Sequence, residues 1–180
     1  MTKAIAKLCL TAASVALCTS LQAQTTITIT ADRDATLYES NNGTLANGAG
    51  PSIFGGVSAQ PGKRRALLHF DVAGQIPTGS RVLSVELDTF SAQSTAFLPI
   101  ATYVHRVTQD WDEGSAFANG PGGAGTFAGN GSATWIHTSR GTSGATWNTP
   151  GGDFDPQPSF IFDLASVGPS TATVQPGIVN

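Results

Sequence analysis

The chain has 180 residues, nine basic and twelve acidic side chains, and a net charge of −3. A nucleic-acid-binding domain is normally basic, so that class is disfavoured. Lys3 and Lys7 open a short basic start, Leu8 to Leu17 is apolar and uncharged, and Leu21-Gln22-Ala23 offers a small residue before Gln24. This is the layout of a secretory signal peptide over residues 1–23. Its apolar stretch is shorter than the about 20 residues that a spanning helix needs. The chain is therefore expected to be secreted, extracellular or periplasmic, and not an integral membrane protein. Val15-Ala16-Leu17 before Cys18 makes only a poor lipobox.

Removing the leader takes away both cysteines, Cys9 and Cys18, and leaves seven basic against twelve acidic residues in 157. A cysteine nucleophile and a thiolate metal site are then excluded. The remaining length suits one domain. The chain has 21 glycines and 10 prolines, above the ordinary level but below the signature of disorder.

Thr25 to Thr30 alternates polar and apolar residues and predicts a strand with Ile27 and Ile29 on one face. Ala35 to Tyr38 predicts a second. Ser40 to Gly50 is an Asn- and Gly-rich loop, and Ser52-Ile53-Phe54 begins another strand. Arg64 to Val72 alternates, and its uniformly apolar set (Ala66, Leu68, Phe70, Val72) is expected to face the core. After the Ile76–Gly79 turn, Arg81 to Phe90 alternates again, with Leu83, Val85 and Leu87 on one side. Ile100 to Val107 is a further strand. From Gly114 to Gly152, 11 of 39 residues are glycine, a long loop region broken by Ala133–Ile136 and Ala145–Trp147. Ser159 to Phe162 is the last expected strand, and 165–180 reads as a weakly structured tail without alternation. Many short strands and no 3.6-residue period predict an all-β chain, an antiparallel β-sandwich or jelly roll over 24–164 that lacks closing strands.

Several of these segments together resemble DNRLRE-type domains. Ala31-Asp32-Arg33-Asp34-Ala35-Thr36-Leu37-Tyr38-Glu39 is similar to their opening, and Arg64 to Val72 to their "RRALLRFD" strand. Ile76 to Ser80 with Val82 to Leu87 resembles the following hairpin. Val104-His105-Arg106-Val107 with Asp110-Trp111-Asp112-Glu113-Gly114 resembles "VYRVTSDWSEG", and Ala133–Trp135 and Trp147–Phe154 fit one bacterial branch. The match runs from about Thr30 to Phe154; the family's later segments have no counterpart. The resemblance implies a secreted jelly roll of the carbohydrate-binding-module kind, working on uronic-acid-rich or other extracellular polysaccharides.

The candidate carbohydrate-binding residues are Lys63, Arg64, Arg65, Trp135 and Trp147. Arginine pairs bidentately with carboxylates, and uronic acids present one per ring; the alternative for the basic run is a solvated strand start. Trp135 and Trp147 could stack on a pyranose or anchor loops in the core. Trp111 reads as a core plug. Asp32, Asp34 and Glu39, and Asp110, Asp112 and Glu113, are two oxygen clusters that either hold calcium or act as ordinary turn acids. No catalytic residue is assigned: His69, His105 and His137 make no HExxH pattern, and Tyr103 with His105 is more simply a pair of half-buried strand residues. The expected function is non-catalytic carbohydrate binding, with a structural or adhesive surface protein as the alternative.

Overall fold

The computed structural model describes residues 24–57, 60–120 and 122–174. The expected signal peptide lies outside these residues. The chain is nearly all β, and every ladder is antiparallel. The strands are Arg33–Tyr38 (β1), Leu45–Asn47 (β2), Gly56–Val57 (β3), Lys63–His69 (β4), Val85–Ser91 (β5), Ile100–Val104 (β6), Thr126–Phe127 (β7), Phe160–Leu164 (β8) and Gly168–Val174 (β9). One helical turn, Val72–Gln75 (α1), follows β4. A five-stranded sheet runs β3-β4-β1-β2-β7, and two ribbons, β5-β9 and β6-β8, complete the set.

β1 and β4 form the centre of the first sheet. Their register sets Ala35 opposite Leu67, Leu37 opposite Arg65 and Tyr38 opposite Arg64. Directly opposed residues share a face. One face therefore carries Ala35, Leu37 and Leu67, which join Trp111, Ala133, Trp135 and Trp147 in the main core. Trp135 and Trp147 come from the glycine-rich excursion after β6 and Trp111 from the turn just before it, and all three pack onto this face. Gly151 turns there at φ +97°, beneath the Trp135 ring. The opposite face holds buried Thr36 and Tyr38, whose phenol donates to the Gly122 carbonyl at 2.7 Å.

Four strand expectations change. Gln24–Ala31 joins no ladder, and Ile27 is 43% exposed despite its alternation. Ser52 to Phe54 is held without a ladder, the Phe54 amide donating to Thr36 Oγ1, and the short strand falls at Gly56–Val57 instead. In β4 the core-facing set is the other one: Leu67 is buried, whereas Ala66 and Val72 are exposed. Finally, the segment expected as a weak tail contains β9, seven residues in full register with β5. Its Pro169 and Gly168 lie at one end of the ladder, opposite Phe90 and Ser91, where proline is tolerated in a strand.

β3 and β4 of the five-stranded sheet, together with β5, β6 and β8, line an open cleft of about 3950 Å³. Leu67 and Leu68 of β4, Leu87 of β5, Val104 of β6, and Phe160 and Phe162 of β8 are among its walls. β5 pairs with β9 alone and β6 with β8 alone among the described residues, so each keeps one unpaired edge.

Candidate functional site

The run Lys63-Arg64-Arg65 starts β4, where successive side chains alternate. Only Lys63 is left exposed on the surface. Arg64 is 5% exposed. Its guanidinium donates to the carbonyls of Gln60, Pro61 and Gly62, and reaches Gly123 across the loop. It also lies 5.6 Å from the Tyr38 ring centroid. Arg65 points to the other face. Its guanidinium sits 5.0 Å from the Trp135 centroid and 4.9 Å from that of Phe154, and donates to the Gly151 carbonyl at 2.6 Å. Both arginines are thus engaged by the fold, and the expected ladder of cations for a polyanion is not presented.

The two candidate stacking rings are also core residues. Trp135 and Trp147 are 7% and 5% exposed, and Trp147 Nε1 donates to the Thr134 carbonyl at 2.8 Å. A sugar needs an open ring face, and neither ring has one. Trp111, 4% exposed, is the plug that the sequence suggests.

The acidic clusters are rearranged. Glu39 lies past the far end of β1 from Asp32, about 20 Å along a six-residue strand, and its carboxylate accepts the Lys63 amide at 2.7 Å. Asp32 accepts from or shares a proton with His69 Nδ1 at 2.6 Å, and this hydrogen bond holds its carboxyl below the usual range. Asp110 is likewise held low by the Trp111 amide and by Arg33, whose Nη2 lies 3.1 Å away. Glu113 Oε1 accepts the Asp34 amide at 2.9 Å. Burial, with the Glu113 charge beside it, pushes the Asp34 carboxyl up. Asp112 is tied through its backbone to Ala133 and Thr138. Among the described residues, no three carboxylate or imidazole groups converge on a point that could hold a metal ion. Of the six carboxylates, those of Asp32, Glu39, Asp110 and Glu113 are engaged by an imidazole, a guanidinium and backbone amides.

The histidines are separated. His105 Nδ1 meets the Asp155 carbonyl at 2.8 Å and its ring packs edge-on against Phe154 at 5.0 Å. His137 bonds Thr134 Oγ1 at 2.9 Å, and burial beside Arg140 lowers its pKa. Tyr103 lies on β6 opposite Ile161 and is 60% exposed, more open than the half-buried position expected.

Two concavities stand out among the described residues. The smaller, about 460 Å³, is lined by Thr108, Asn148, Thr149, Asp153, Phe154 and Pro156. Asp153 shapes it by accepting the Asn148 and Thr149 amides at 2.7 and 2.9 Å. The larger is the interlayer cleft. No family model, curated protein or solved structure matches the chain. No helix among the described residues is long and apolar enough to cross a membrane. Sequence reasoning missed the cleft, because it is lined by strands distant in the chain, β4, β5, β6 and β8.

Proposed function

We propose that this chain is a secreted, non-catalytic β-sandwich that acts as a structural or adhesive domain, docking an extended polypeptide segment between its layers. The observation that carries this reading is the open, largely apolar cleft between β4 and the β5, β6 and β8 strands. Unpaired edges on β5 and β6 border it, and an unpaired edge is a template for strand addition. The jelly-roll connectivity expected from the DNRLRE resemblance belongs to this proposal as well. The test is hydrogen–deuterium exchange of Val85–Ser91 and Ile100–Val104 with and without a synthetic peptide of alternating Thr and Val. Slowed exchange on those edges supports docking. Unchanged exchange at saturating peptide overturns it.

Carbohydrate binding is the second reading, moved to the smaller pocket. Phe154 is 37% exposed there, beside Asn148, Thr149 and Thr108. A partly open aromatic ring with polar neighbours is the minimum that a sugar site requires. Uronic-acid-rich polysaccharides are the class to screen first. Calorimetric titration with uronate oligosaccharides tests it, and binding that survives Phe154→Ala would reject this pocket.

A further inference from the structure

Resting on the docking reading, we propose that the occupant is a second copy of this chain, whose Thr25–Thr30 segment adds as a strand to the open edge of β5. Three observations point to it. First, Thr25-Thr26-Ile27-Thr28-Ile29-Thr30 carries strand chemistry without a strand's partners: β-branched residues throughout, alternation from Thr26 to Thr30, and no ladder. Secondly, the segment lines the cleft of its own copy together with β5 and still does not pair with it. The Asp32 amide, bonded to the His69 carbonyl at 3.1 Å, fixes the point where the segment leaves the first sheet.

Thirdly, length and pattern together fit β5. β5 and β9 are seven residues long and β6 and β8 five, and β9 contains Pro169, which has no amide to donate. β3 already covers β4 at Lys63 and Arg64. Leu87 and Thr89 of β5 face inward, opposite Ala172 and Ser170, while Glu86 and Asp88 face outward. A strand beside β5 with Ile27 and Ile29 inward extends the apolar face, and Thr26, Thr28 and Thr30 extend the polar one. Reciprocal exchange closes as a two-fold dimer, and one-way exchange propagates as a filament.

The test uses the full chain as exported. Sedimentation velocity over a concentration series should show a monomer giving way to a dimer or larger species. Exchange at Val85–Ser91 should slow over the same concentrations. Thr28→Pro, which removes a ladder donor, and Ile27→Lys with Ile29→Lys, which charges the inward face, should each restore the monomer. Ile27→Val with Ile29→Val should leave association intact. A monomer at every concentration overturns the proposal. So does protection of β5 that is independent of concentration, which would mean that the segment folds back within one copy. So does association that persists in both disruptive variants. If the chain stays monomeric while the free Thr/Val peptide still protects β5, docking stands and self-exchange fails. If neither occurs, both fail.

Discussion

Arg65 and Trp135 form the keystone of the main core: the guanidinium lies 5.0 Å from the indole centroid and donates to the Gly151 carbonyl just beyond it. Phe154 closes the other side at 4.9 Å. A cation held between two rings, partly desolvated, contributes on the order of 1–2 kcal/mol per ring contact, and the bond to a carbonyl adds about 1.5 kcal/mol. Arg65→Ala is expected to lower unfolding free energy by ~3 kcal/mol in urea titration. Arg65→Lys should recover little, because an ammonium cannot stack. Exposed Lys63→Ala should stay within about 0.5 kcal/mol.

Gly151 supplies the turn under the same ring. An added Cβ would sit 2.7 Å from Trp135 Cζ2 and 2.7 Å from Arg65 Nη1, on a backbone at φ +97° that L side chains rarely adopt. Strain and overpacking both oppose the change. Gly151→Ala is expected to cost about 3 kcal/mol, measured as a lowered urea midpoint with an unchanged slope.

The pH dependence of Asp34 has a definite sign. Its carboxyl pKa is raised in the folded protein by burial and by Glu113. Its favourable contribution is therefore complete below the unfolded value of 3.8 and is lost as pH rises through the higher folded value. Asp34→Asn should raise the thermal midpoint at pH 7, and the gain should shrink as pH falls towards 4. Asp32 and Asp110 run the other way: their lowered values give stability that is present above 3.8 and lost on acidification. A gain that stays constant from pH 7 to pH 4 would overturn the Asp34 assignment.

All three tryptophans are at most 7% exposed. Native fluorescence should be blue-shifted and almost insensitive to iodide, and saturating oligosaccharide should leave it unchanged. Trp147→Phe leaves the buried Thr134 carbonyl without its indole donor. The expected cost is about 2 kcal/mol, read by chemical denaturation.

Period-two patterning identified the all-β class and most strands, but faces depended on partners. In Arg64 to Val72 the apolar set Ala66, Leu68, Phe70 and Val72 is the more hydrophobic of the two, yet Leu67 and Arg65 meet the tryptophans. The excursion from Gly114 to Gly152 chooses which side of β4 is covered, and a window of nine residues contains no trace of that choice. The same excursion turns Trp135 and Trp147 inward. Thr26–Thr30 alternates and joins no ladder, whereas Gly168–Val174 has poor alternation and a complete ladder. Pairing is a property of two segments, and β9 gains its strand from β5. The arginines misled for a related reason: charge suggests solvent, but carbonyls of Pro61, Gly62 and Gly151 can replace water around a guanidinium.

The β5–β9 ladder also sets a timetable for folding. Among the described residues, Val85 to Ser91 pairs only with Gly168 to Val174, so this ladder cannot close until residue 174 is available. Pairings this distant in sequence are slow to close. Until then β5 is bare on both flanks, and a nascent chain must be kept from sticking to its neighbours.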